Sequence, residues 1–412
     1  MKQVTVIGGG VIGLTSAWWL LQAGFRVTLI EREDQVGQGA SYRNGGQLSY
    51  RYVSPLADAG VPFKALGWMF DRDGPLRFKP EADLRQWRWL LQFLACCRGS
   101  VNRRTTATLL QLGELSRLSM MQLDELVPTS SFAWRDAGKL VVHRSQASLA
   151  AAQGRNGEAG QQMSARECVA LEPALAAMEG DLAGGIFNTG EAVADCHAFC
   201  LALAARLRSH PNFGGIVHTR AHVLANAGGK ISGIITSAGL MGADAFVLAA
   251  GIQSRTLAAS ADIALPLYPI KGYSLSAPIR ATDLAPAISV TDFERKVLYA
   301  RIGDQLRVAA MADIVGEDTR IDPQRIAGLI AQVRAAMPQA ADYQHMESWA
   351  GLRPATPNGA PLIGPTRYSN LWLNVGHGAL GFTFACGSAR ILADLMQGKA
   401  PPMALAGLTP RT

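Results

Sequence analysis

At 412 residues, 49% of them hydrophobic, the chain can bury a large core and divide into two domains, which excludes a disordered or fibrous protein. Its net charge of +7, from 39 basic and 32 acidic residues, comes without zinc-finger spacing or another nucleic-acid motif, so nucleic-acid binding is not expected. The six cysteines (Cys96, Cys97, Cys168, Cys196, Cys200 and Cys386) form no C-x-x-C pair and are read as buried thiols of a cytosolic chain.

Lys2 to Ile7 is an apolar run too short for a helix and suited to a buried strand. Gly8-Gly9-Gly10-Val11-Ile12-Gly13 follows, matching G-x-G-x-x-G through Gly8, Gly10 and Gly13. A helix then runs to Gly24, placed as a C-cap glycine. Phe25 to Ile30 is a second strand, closed by Glu31 and Arg32. Gly8 makes the tight turn, Gly10 lets backbone approach a pyrophosphate, and Gly13 lets helix and strand pack closely. The helix N-terminus at Val11 and Ile12 favours phosphate charge, and Glu31 is spaced to accept from ribose hydroxyls. Val4 to Gly24 is uncharged and could pass for a membrane span or signal peptide. Turn glycines and the immediate second strand argue against both, so neither is expected.

A loop of small and polar residues spans Gly37 to Ser49, and a mostly helical stretch runs from Leu66 to Val127. Ile216 to Leu224, Lys230 to Ser237 and Ala243 to Ala249 read as successive strands. The third leads into Ala250-Gly251, where backbone can approach a ligand. Cys196, His197 and Cys200 lie together on a helical stretch, but three candidates without a fourth are read as core-facing thiols, so no metal is expected. From Leu265 the pattern turns to long antiparallel strands, with Gly303-Asp304 as a two-residue hairpin turn. A helix follows, with Asp322 as N-cap, Pro323 at its first position and a stripe of Ile326, Leu329, Ile330 and Val333. A last strand, Leu371 to Asn374, ends in Gly376-His377-Gly378, and a helix starts near Gly381.

The N-terminal unit alone does not separate NAD from FAD. The turn at Gly376 to Gly378 places a second helix N-terminus beside a cofactor, which suits the negative charge a flavin develops on accepting hydride. With Ser41-x-x-Asn44-x-Gly46-Gln47, Tyr268-Pro269-Ile270-Lys271-Gly272-Tyr273-Ser274, Gly351-Leu352-Arg353-Pro354-x-Thr356-Pro357 and Gly376-His377-Gly378-x-x-Gly381, the whole chain resembles the D-amino-acid oxidase superfamily. Within it, the chain is most similar to the bacterial D-amino-acid dehydrogenases of small-subunit type.

The resemblance implies non-covalent FAD, oxidative deamination of a D-amino acid, and electron transfer to quinone or another respiratory acceptor. It implies cofactor contacts at Ser41, Asn44, Gly46 and Gln47. A further adenine-side contact is expected at Ala221, within Thr219-Arg220-Ala221. The α/β fold expected is a discontinuous Rossmann-like FAD-binding domain (1–60, 156–262 and 346–412) with an inserted antiparallel substrate domain (263–345) and a helical and substrate-domain segment (61–155). Alternatives left open are an oxygen-using oxidase of glycine or sarcosine, and the flavin subunit of a hetero-oligomeric dehydrogenase for D-proline derivatives or glycine. Localisation is expected in the cytoplasm, with peripheral contact at the inner membrane as an option.

Arg353 is the carboxylate clamp of this reading, because its planar fork suits bidentate capture. His377, between two glycines, is read as shaping a flavin-facing loop rather than as a base. Tyr273 either contacts substrate or packs, and Tyr50 and Tyr52 resemble a mobile lid. The stretch from Trp87 to Cys97, bordered by Arg85, Arg88, Arg98, Arg103 and Arg104, suits either a membrane-surface helix or a core stripe, and core is preferred.

Overall fold

The computed structural model describes residues 1–410 apart from 54, 59, 63–66, 68–73, 125 and 157–159. The start of the helical stretch expected from Leu66 therefore lies outside the described residues.

Gln3–Ile7 and Arg26–Glu31 form parallel neighbours joined by the helix Val11–Gln22, as the apolar run, glycine turn and second run require. Gly24 takes φ +84° just beyond that helix, a conformation a side chain would strain. Phe213–His218 adds beside Arg26–Glu31, and Ala245–Leu248 beside Gln3–Ile7. Leu371–Val375 continues the parallel order, with Leu362–Pro365 antiparallel at the edge. Nine residues of Val11–Gln22 are buried. The helix is covered by Gly381–Met396 and Cys196–Arg208, so it is apolar nearly all round rather than striped.

A second sheet runs Glu347–Ala355, Tyr268–Pro278, Gln305–Ile314, Val297–Ile302, Ser289–Asp292, Lys139–His143, Gly184–Asn188 and Gln161–Met163. It is mixed rather than purely antiparallel: Ser289–Asp292 pairs parallel with Lys139–His143, and Leu76–Phe78 parallel with Gln305–Ile314. Its Gly303-Asp304 turn and the Asp322-capped helix Pro323–Ala336 occur as expected. Ile326, Leu329 and Val333 of that helix cover the face carrying Leu275, Val308 and Tyr299.

Three expectations are corrected by this topology. Gln161–Met163 and Gly184–Asn188, expected in a nucleotide segment, pair into the second sheet, as does Glu347–Ala355. Ile216 to Leu224 is two strands, because the chain leaves the nucleotide sheet at Thr219-Arg220 and Ala221–Ala227 starts a separate three-stranded sheet. Gly99–Met121 packs on Gly381–Met396 of the nucleotide domain. That crossing needs Gly387, where a Cβ would lie 2.8 Å from Ser116 N. Gly378–Met396 is long and apolar enough to cross a membrane by composition, but 61% of its most apolar window is buried inside the protein, where it serves as core.

Candidate active site

A cavity of about 1890 Å³ runs from the glycine turn between the two sheets to Arg353 and beyond. Single-ligand pockets usually hold about 300–1,000 Å³, so this one has room for a dinucleotide and a second molecule.

At the nucleotide end, Gly8 takes φ +112°, and a Cβ there would sit 2.5 Å from Ala249 O and 2.8 Å from Ala250 Cα. Gly13 is a spacer, since its Cβ would lie 1.8 Å from Gly8 O, and it packs the helix on the strand without lining the cavity. A Cβ at Gly10 would meet only Ser41 Oγ, at 3.4 Å, so the protein leaves the space over that turn to a ligand. Gly10 gives the helix no side-chain cap, and its first turn carries no acidic residue. Ser41 Oγ instead accepts from Val11 N (3.0 Å), while Ile12 lines the cavity beside it. Glu31 ends its strand with one carboxylate oxygen accepting from Gly9 N (2.7 Å) and the other from Glu33 N (2.9 Å). The carboxylate therefore fixes the glycine turn while lining the cavity. Arg32 pairs with Glu33 at 2.9 Å, and Arg32, Ala221, Ala250 and Gly251 line the same end.

In the middle, Asn44 Oδ1 accepts from Gly46 N (3.0 Å), and Gly46 turns at φ +63°. A Cβ on Gly46 would meet Ile302 Cδ1 and Ala194 O, so the glycine is enforced by packing. Opposite, Gly376 (φ +85°) and Gly378 (φ +56°) turn the chain into Gly381–Met396, whose N-terminus has neither side-chain cap nor acidic first turn. His377 is buried with Nε2 3.1 Å from Ser388 Oγ, and burial pushes its pKa down to about 3. It is held neutral against the helix, as befits a loop-shaping residue.

Gln47 is anchored away from the loop. Its amide donates to Ser289 Oγ and its oxygen accepts from Lys139 Nζ (3.1 Å), which also donates to Ser49 Oγ (3.0 Å). Burial pushes the Lys139 ammonium down to about 8, opposed by Glu191. Sequence reasoning missed both residues; the one signal was a lysine opening an otherwise apolar strand. Glu191 also ties the segment expected as a lid. Its carboxylate accepts from Tyr50 N (2.6 Å), Arg51 N (3.0 Å) and Tyr52 N (2.8 Å), and Lys139 Nζ lies 4.4 Å from the Tyr52 ring centre. Tyr52 lines the cavity on the segment that Glu191 holds.

At the far end, Arg353 extends from Glu347–Ala355 across Gly272, where a Cβ would come 2.2 Å from its Nη2. Nη1 donates to Met311 O (2.7 Å), which Met311 presents from φ +66°, a conformation costing about 1–3 kcal/mol for a residue with a side chain. Burial lowers the Arg353 pKa from its usual value, partly offset by Asp313. That carboxylate is already held by Arg325 (2.7 Å) and the Tyr273 hydroxyl (3.3 Å). Among the described residues Arg353 has no ion-pair partner, so an enclosed cation faces the cavity with donors to spare. The ring of Trp349 lies over Gly351 beside it, another wall residue that sequence reasoning missed. Tyr273 is different. Its side chain packs with Leu275 and Ala277 in the second core, while the residue also lines the cavity.

The residues fit FAD: an open glycine cradle, two helix N-termini whose own N-cap residues supply no capping side chain, and a strand-end carboxylate suit a dinucleotide carrying a flavin. None of the six cysteines lines the cavity, in keeping with a non-covalent cofactor.

Residues 3–395 match the family described as FAD dependent oxidoreductase. The chain is 49% identical to D-amino acid dehydrogenase 2 of Pseudomonas aeruginosa over 100% of its own length and 98% of the relative's. It is 45% identical to D-amino acid dehydrogenase 2 of Ralstonia nicotianae over 98% of each. Glycine oxidase from Geobacillus kaustophilus shares the fold at a TM-score of 0.75, with 21% identity and 100% of both chains covered. The chain belongs to the FAD dependent oxidoreductase family, as an enzyme that oxidatively deaminates amino-acid-type substrates with non-covalent FAD.

Proposed function

We propose that the protein oxidises D-amino acids to 2-oxo acids and ammonia and passes the electrons to quinone or another respiratory acceptor. The observation that carries this is Arg353: an enclosed guanidinium with no ion-pair partner among the described residues, at the end of a cavity whose other end fits a dinucleotide. A substrate carboxylate supplies the missing charge, and the guanidinium fork holds it in one orientation. The D configuration and the dehydrogenase class are supported by the names of the relatives at 49% and 45% identity.

Bound FAD supplies the hydride acceptor. Arg353 fixes the carboxylate so that Cα–H is presented to it, and this positioning accounts for much of the rate. The amine reacts in its neutral form, so no dedicated base is required, and His377 stays tied to Ser388. Loss of hydride from Cα leaves an imino acid, which water converts to 2-oxo acid and ammonia. A respiratory acceptor would be met from the cytoplasm by contact with the inner membrane, which is the location this reading carries.

An anaerobic screen of D- and L-amino acids, read by bleaching of the flavin, tests the substrate. Bleaching by D-enantiomers at least about tenfold faster than by L-enantiomers is expected; equal or inverted preference contradicts the proposal. Stopped-flow reoxidation tests the acceptor. Quinone is expected to outrun air, and rapid reoxidation in air would favour an oxidase.

A further inference from the structure

The helix Leu84–Cys96 has two apolar faces. Trp89 and Phe93 are buried against Tyr268 and Ile270. On the opposite side Leu84, Trp87, Leu91 and Leu94 are 85%, 45%, 68% and 49% exposed. Their spacing of three, four and three residues makes one stripe nearly three turns long. An exposed stripe of this kind marks an interaction surface.

Charge identifies what covers it. From Leu84 to Gly113 there is no acidic residue, while Arg85, Arg88, Arg98, Arg103 and Arg104 account for five positive charges. All five are exposed. Arg85 is paired with Asp83 at 3.0 Å, but among the described residues the other four make no ion pair. A symmetric contact with a second copy of the chain would set these arginines against themselves. Leucine and tryptophan beside unpaired arginines match the boundary between acyl chains and anionic headgroups.

We propose that the outward face of Leu84–Cys96 docks the protein on an anionic lipid bilayer. Leu84, Trp87, Leu91 and Leu94 enter the acyl boundary, and Arg88, Arg98, Arg103 and Arg104 meet lipid phosphates. The cavity that fits the flavin extends to Trp87, Leu91 and Leu94, so docking sets its mouth against the membrane, where an apolar acceptor resides. That last consequence rests on the acceptor reading above; the docking does not.

The test is co-sedimentation of FAD-loaded protein with vesicles of phosphatidylglycerol and phosphatidylcholine, against phosphatidylcholine alone. Wild type is expected to bind the anionic vesicles at least about tenfold more tightly, and less so in high salt. Leu84→Ser with Leu91→Ser, and separately Arg88→Gln with Arg98→Gln, should each weaken binding at least about tenfold. FAD content and melting temperature, both expected unchanged, report that the variants fold. Equal binding to the two vesicle types, or undiminished binding by the folded variants, overturns the proposal. So does a wild-type dimer that the Leu84→Ser/Leu91→Ser variant converts to monomer without any vesicle binding. Turnover of D-amino acids with a water-soluble dye, measured in parallel, reports on the functional reading alone; its failure alongside intact vesicle binding would sink that reading and leave the docking standing.

Discussion

At the nucleotide end of the cavity, the glycine-turn backbone and the Glu31 carboxylate come from one short stretch, Gly8 to Glu31, with Arg32, Ala221, Ala250 and Gly251 beside them. At the substrate end, the cation comes from one strand, the floor beneath it from Gly272 on a second, and the carbonyl that holds it from Met311 on a third. The first end is made mostly by backbone and tolerates side-chain change wherever no Cβ collides. The second is made by a long side chain threaded over a glycine, and one altered atom group there should be felt in the chemistry.

Arg353→Lys is the largest expected break of that contrast. The ammonium keeps the charge but loses the fork that reaches both Met311 O and a carboxylate. We expect kcat/KM to fall at least about a hundredfold, roughly 2.7 kcal/mol, with kcat as well as KM affected. FAD content, read by absorbance, should stay normal, because the nucleotide end is untouched.

Glu31→Ala should do the reverse. Removing the acceptor for Gly9 N and Glu33 N loosens the glycine turn, and it deletes the carboxylate proposed to hold the ribose. About 1.5–3 kcal/mol of FAD binding should go, tenfold to a hundredfold in Kd, with substrate preference unchanged in the reconstituted enzyme. Unaltered FAD affinity would move the ribose contact elsewhere.

His377 lies between the ends and sharpens the comparison through pH. An unfolded imidazole takes a proton near pH 6.5, whereas this buried ring does so only at about 3. Protons therefore favour the unfolded chain, and the stability due to this ring is lost as pH falls from about 6.5 towards 3. The slope is roughly 1.4 kcal/mol per pH unit. His377→Gln should flatten this part of the acid-unfolding curve relative to wild type; parallel curves would rule out a buried neutral histidine.

Tyr273→Phe is the smallest break. It removes a 3.3 Å hydrogen bond to Asp313 from the core side of the sheet. About 1 kcal/mol of stability is at stake, and kcat/KM should stay within about threefold of wild type. A loss of the Arg353 size would place the phenol in the site.

The same contrast explains what the sequence made legible. Gly8 to Glu31 could be read because strand, turn and helix there are set largely by neighbours a few residues away, and Gly8, Gly13 and Gly24 show the turn, close packing and helix end expected of them. The hairpin at Gly303 and the Asp322 cap were legible for the same reason. Tyr273 was ambiguous because adjacent strand residues face opposite sides, and only the position of Arg353 over Gly272 tells which side is the cavity. Lys139 and Glu191 were hidden because nothing local marks a lysine that reaches Gln47 and Ser49 across the fold, or a carboxylate that collects three amides from residues 50–52. Trp87 and Leu91 were assigned to the core by composition. The helix buries a different stripe, because Trp89 and Phe93 match the pocket around Tyr268.

The central claim is that Arg353 acts on a substrate carboxylate, and the most direct measurement compares a D-amino acid with its carboxamide. In anaerobic single-turnover bleaching, wild type should reduce its flavin far faster with the acid than with the amide. Arg353→Lys should erase most of that difference by slowing the acid while leaving the amide nearly unchanged. If the variant slows acid and amide by the same factor, Arg353 supports the site without holding the carboxylate, and the account given for the substrate end is wrong.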